Sequence, residues 1–107
     1  PAAEFVAFAE LAARLPAPGV ILADPAAAPV PTGERSILYA LAGALVEHLR
    51  ANPAAAGALA TYAARLPAEF AVLVMRDACS ACPAIVQTAP GAAWIRANRD
   101  ALLSARN

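Results

Sequence analysis

Apolar residues recur at three- and four-residue steps along most of this chain, the spacing of a helix with one buried stripe, and prolines divide the pattern into segments. Proline is tolerated in the first turn of a helix and not in its interior, so each one reads as a boundary. The first segment, Glu4 to Leu15, aligns Phe5, Phe8, Leu11, Ala12 and Leu15 on one face, and Pro16 and Pro18 end it. Gly19 to Ala23 predicts a short helical turn. Residues 24–31 hold three prolines and predict an extended connector. The clearest helix follows, with Thr32 as expected N-cap, Glu34 in the first turn where the helix dipole favours an anion, and Arg50 in the last. Its expected core face is Ile37, Leu38, Leu41, Leu45 and His48.

Asn52 before Pro53 predicts an N-cap and first-turn proline for a third segment that runs to Arg65, with Leu59, Tyr62, Ala63 and Leu66 on one side. Pro67 opens a fourth, with Glu69 in its first turn and Phe70, Leu73 and Val74 leading towards Cys82, where Pro83 closes or kinks it. After a short Pro83 to Gln87 piece, Thr88 and Pro90 restart the chain. The last helix carries Trp94, Ile95, Ala97 or Asn98, Leu102 and Leu103. One stretch is ambiguous: Phe70 to Met75 is apolar all round and contains two valines, which fits a buried helix turn or a short buried strand. Alanine-rich flanks and the lack of a partner strand favour helix. The pattern as a whole predicts an all-α fold, a compact bundle of about five main helices plus one or two short helical turns. Residues 1–107 read as a single helical domain, a fragment of a longer chain, with 24–31 as its Pro-rich connector.

Composition narrows the chemistry more than the fold. Some 33 of the 107 residues are alanine, aromatics supply only 6%, and all eight basic residues are arginines, balanced by eight acids. The phosphate loop of P-loop ATPases and GTPases ends in a lysine, and protein kinases use one to pair the phosphates, so neither machinery fits within this segment. Schiff-base catalysis is excluded for the same reason. A net charge of zero lacks the basic footprint of a nucleic-acid binder. The longest uncharged stretch, Ala78 to Ile95, is interrupted by Pro83 and Pro90, so no membrane span is expected. No basic segment precedes an apolar one at Pro1, so no secretory signal is expected either. Two cysteines three residues apart do not make the disulfide framework of a small secreted protein, and the expected setting is cytoplasmic.

Few constellations carry chemistry. Cys79-Ser80-Ala81-Cys82 has the C-x-x-C spacing of a thiol-redox site, provided a strand precedes it and further strands follow. The residues after Pro83 read as helix, and cysteines three apart on a helix also serve as small apolar fillers. Zinc needs four ligands, and Cys79, Cys82 and the single His48 supply three. His48, near a helix C-terminus, is also simply stabilised by the dipole. Ser36, Ser80 and Ser104 lack the setting of a nucleophile elbow, and the eight acids are scattered. No catalytic, cofactor-binding or metal residue is therefore assigned. Arg65, Arg76, Arg96 and Arg99 form a candidate interaction surface if the third, fourth and last helices lie side by side, although helix-end charge explains them equally well. Trp94 is a candidate interface anchor or the centre of the core.

The run from Ala63 to Ala78, AARLPAEFAVLVMRDA, resembles a segment of the form RLPxEFxxLLxRD near the C-terminus of bacterial MoxR-like AAA+ ATPases. Glu4 to Leu15 with Leu22-Ala23-Asp24-Pro25 and Val30-Pro31 is similar to the stretch after the AAA+ lid. Ile37 to Val46 resembles the next helix, and Trp94 to Leu103 the closing one. The resemblance implies a non-catalytic, C-terminal helical domain serving ring assembly, lid packing or partner recognition. ATP and Mg would belong to the parent chain, since no Walker, sensor or arginine-finger motif has a matching position here. Its partners would be the rest of that ATPase chain and proteins with a von Willebrand factor A domain. Cys79 and Cys82 depart from the family's pattern. The rival readings are a thiol-redox or metal-binding module using Cys79 and Cys82, and a free-standing helical adaptor.

Overall fold

The computed structural model describes residues 16–31 and 35–105. The expected first helix, Glu4 to Leu15, and the expected capping residues Thr32 and Glu34 lie outside the described residues. Within them the chain forms α1 (Pro18–Ala23), α2 (Arg35–Ala51), α3 (Ala56–Ala63), α4 (Ala68–Ala81), α5 (Ala89–Ala97) and α6 (Arg99–Ala105). Two 3₁₀ turns, Pro53–Ala55 and Pro83–Gln87, lead into α3 and α5. The described residues contain no strand, and the fold is all-α.

Proline placement accounts for most of the boundaries. Pro18, Pro53, Pro83 and Pro90 each occupy a first-turn position, where the missing N–H costs nothing. Pro67, in extended conformation (φ −52°, ψ 140°), is the residue from which α4 starts. Cys82 ends α4 with φ −145° and ψ 84°, because a following proline disfavours the helical region. Thr88 caps α5: its Oγ1 accepts from Gly91 N–H at 3.0 Å and donates to the Ile85 carbonyl at 2.7 Å.

The ambiguous stretch Phe70 to Met75 is helical, inside α4. Phe70, Ala71, Val74, Met75 and Ala78 share its buried face, and the apparent all-round hydrophobicity arises because Val72 and Leu73 are half-buried at its margin. On α2 the buried face is Leu38, Leu41, Ala42, Leu45, Val46 and Leu49, rotated from the expected one so that Ile37 and His48 lie at the edge.

Three local expectations are corrected. Residues 24–28 turn rather than extend: the N–H groups of Ala27 and Ala28 both donate to the Asp24 carbonyl, at 3.2 and 3.0 Å. The three residues between Pro25 and Pro29 keep their donors, and that is enough to close a turn. Asn52 stands at the expected N-cap position before Pro53, but its side chain does not make the cap bond; its Nδ2 donates back to His48 O at 3.0 Å and closes α2. The single closing helix is two helices. Asn98 donates to Trp94 O through both its backbone N–H, at 3.0 Å, and its Nδ2, at 2.8 Å, and its backbone leaves helical geometry (φ −122°, ψ 20°).

The largest packed pairs are α2 with α4 and α3 with α5. α1 lies across α2 and α3, the Pro83–Gln87 turn ties α4 to α5, and α6 returns to α4. Between them Ile21, Leu41, Leu45, Leu49, Leu59, Tyr62, Met75 and Ile85 are fully buried. The radius of gyration, 13.7 Å, is close to the roughly 13 Å of a compact domain of this length. Core bulk is low, so the few large side chains and close alanine contacts such as Ala60, Ala63 and Ala71 share the burial.

Candidate functional site

Alanine-rich helix faces leave shallow surfaces, and two concavities stand out among the described residues. The larger, about 580 Å³, runs between α3 and α5 and is walled by Ala60, Ala64, Pro90, Ala93 and Ala97, with Trp94 in its floor. It is apolar. Trp94 is only 6% exposed and belongs to the core, so the groove displays little of it. Thr61 and Asn98 are its polar lining residues, and Asn98 Nδ2 is already engaged by the Trp94 carbonyl.

The smaller pocket, about 210 Å³, lies between α2 and α4. Helical spacing builds it from both sides: Arg35 and Tyr39 are four apart on α2, while Glu69, Leu73 and Arg76 follow each other by four and three on α4. Tyr39 is 51% exposed and meets buried Phe70 edge-on, with ring centroids 5.2 Å apart. Arg35 reaches Glu69 at 3.8 Å and Arg76 reaches Asp77 at 4.0 Å, all four side chains being half or more exposed. Such pairs contribute about 0 to 1 kcal/mol and are readily exchanged.

The four arginines singled out from the sequence have different surroundings. The helices that carry them are neighbours, since α3 packs on α4 and α5, and α4 on α6. Arg65, however, is committed to the fold. Its Nη1 donates to the carbonyls of Pro25 (2.7 Å) and Ala28, and its guanidinium lies 5.8 Å from the centre of the Tyr62 ring. Arg76 lines the smaller pocket. Arg96, in the last turn of α5, and Arg99, opening α6, are exposed on either side of Asn98. Arg35 and Tyr39 were missed by sequence reasoning, which attended to the core face of α2; their four-residue spacing on the opposite side was the available signal.

The cysteines stand at the end of α4, Cys79 half-buried and Cys82 buried. Burial pushes the Cys79 thiol above its ordinary value, the opposite of what a reactive thiolate requires. Burial likewise raises the Tyr62 phenol, opposed by the nearby Arg65 charge. The Tyr62 hydroxyl is satisfied, donating to Pro29 O at 2.7 Å. His48 sits beside α1, where a Cβ on Gly19 would lie 3.4 Å from its Cε1. Among the described residues no three His, Cys, Asp or Glu side chains converge to hold a metal ion. No helix among them is long and apolar enough to cross a membrane. Comparison with known proteins finds no matching family model, no matching curated protein and no matching solved structure.

Proposed function

We propose that this chain is a non-catalytic helical accessory domain of a cytoplasmic MoxR-like AAA+ ATPase, acting through its surface in ring assembly or partner recognition. The observation that carries the reading is the use the fold makes of the phrase from Arg65 to Asp77. Arg65 holds the 24–29 turn by two carbonyls, Leu66 is buried, and Pro67 separates α3 from α4. Phe70, Val74 and Met75 then supply the buried face of α4. The phrase thus sets one turn, one helix boundary and one core face at once, an architectural role in keeping with a non-catalytic domain. Nucleotide chemistry, with ATP and Mg, would be supplied by the preceding part of the parent chain. A protein with a von Willebrand factor A domain is the partner class the resemblance implies.

The deciding experiment is to read the coding frame upstream of Pro1. A Walker A motif with its lysine is expected there. An upstream frame without one overturns the proposal and leaves the free-standing adaptor. The thiol-redox alternative gains nothing from a cysteine whose ionisation is suppressed by burial.

A further inference from the structure

The helical spacing of the chain runs on through Trp94, Ile95, Asn98 and Leu102, yet the fold divides this stretch into α5 and α6 at one residue. Kinks in helices are traceable to proline, to glycine or to a side chain that enters the hydrogen-bond ladder. No proline or glycine stands between Ala92 and Ala105, so the break belongs to Asn98, whose Nδ2 is bound to Trp94 O. The interruption is short. Asn98 N–H donates to Trp94 O and Leu102 N–H to Asn98 O, both at 3.0 Å, while among the described residues no N–H of residues 99–101 donates to α5. One continuous helix would supply those bonds, with Ile95, Arg96 and Ala97 as acceptors.

What the continuous helix would give up is also small. α6 packs back on α4, but Leu102 is its half-buried side chain, and Arg99, Asp100, Ala101, Leu103 and Ser104 are exposed. Asp100 acts on both sides of the balance. It is an anion in the first turn of a separate α6, and in one helix it would stand a turn beyond Arg96. We propose that α6 is a two-state strap: docked on α4 with Asn98 closing α5, or released and continuous with α5 as one helix over residues 89–105. Backbone bonds gained on release offset the little burial lost, a balance that leaves a minor state at about 0.1 to 10%. Release withdraws Leu102 and uncovers the part of α4 beneath α6 in a single movement. A partner that binds the uncovered face selects the released state.

Isotope-labelled protein is compared with its Asn98→Ala and Asn98→Gly variants by NMR relaxation dispersion, carbon shifts and amide exchange. The unaltered chain is expected to show millisecond exchange centred on residues 96–103 and on α4. Asn98→Ala removes the side-chain bond to Trp94 O and adds helix propensity, and should raise the released population about tenfold. That rise is read as helical carbon shifts at position 98, slower amide exchange at 99–101 and weaker contacts from Leu102 to α4. Asn98→Gly disfavours a continuous helix and should abolish the dispersion while α6 stays docked. Flat dispersion in the unaltered chain overturns the proposal. So does an Asn98→Ala variant that keeps the kinked shifts and the Leu102 contacts, or one in which residues 99–105 lose their helical shifts, the mark of a fraying end.

Discussion

Glycine shows at the residue scale how differently one substitution acts in two places. Gly91, in the first turn of α5, has no room for a side chain: an added Cβ would overlap the Ile85 carbonyl and stand 2.6 Å from Thr88 Oγ1. The space is closed because Thr88 caps the helix and bonds Ile85 at the same time. Gly91→Ala should therefore destabilise the fold by about 1 to 3 kcal/mol or more, read as a lower urea midpoint. Gly43, exposed in the middle of α2, has nothing within 4 Å of its added Cβ. Gly43→Ala should stabilise by about 0.5 to 1 kcal/mol, since alanine loses less backbone freedom on entering a helix. Cys79 supplies the third residue-scale expectation. Its thiol is raised by burial above an ordinary value near 9, so the folded state holds the proton more tightly than the unfolded chain does. The associated stability is complete below that ordinary value and is lost as pH rises through the folded one. Iodoacetamide at pH 8 should accordingly modify Cys79 more slowly in native than in urea-unfolded protein; equal rates would contradict the burial argument. At alkaline pH the thermal midpoint should fall, with a shallower decline in Cys79→Ala.

At the scale of elements the 24–29 turn and its two anchors decide how α1 is attached. Tyr62, in the last turn of α3, and Arg65, two residues past its end, take the carbonyls of Pro29, Pro25 and Ala28. Those carbonyls sit among prolines that offer few N–H donors, so a loop there needs side-chain partners to be ordered. Tyr62→Phe removes one neutral hydrogen bond and should cost about 0.5 to 1.5 kcal/mol. Arg65→Ala removes charge-assisted bonds and the ring contact, and should cost about 1 to 3 kcal/mol with faster amide exchange confined first to α1. Arg65→Lys should recover only part of this, because an ammonium lacks the flat guanidinium face that lies over the Tyr62 ring. Both ends of α4 and the start of α5 were legible from proline and threonine alone. The Asn98 break and the return of Asn52 to His48 were not, because an asparagine side chain has several backbone groups within reach and the sequence does not say which it takes.

Over the whole molecule, stability rests on a few large side chains within an alanine framework, and Trp94 is the largest of them. Trp94→Ala should cost about 3 to 5 kcal/mol, measured by chemical unfolding followed by far-ultraviolet circular dichroism, whereas an exposed anchor would show little loss. The periodic spacing of leucines on α2, the stripe ending in Tyr62 and Leu66, and the prolines at helix starts are local properties, written in the order of residues. They determined an all-α fold and roughly where its helices begin, and favoured helix for the stretch from Phe70 to Met75, which only packing placed within α4. Helix packing is a different matter, because it depends on which faces meet across long chain separations. Only the tertiary structure decided that Arg65 serves the 24–29 turn rather than a free basic surface, since its carbonyl partners lie 37 and 40 residues away. Only it brought Arg35 and Tyr39 of α2 beside Arg76 of α4. A side-chain stripe follows from the 3.6-residue period, but a pocket exists only where two stripes have been laid against each other.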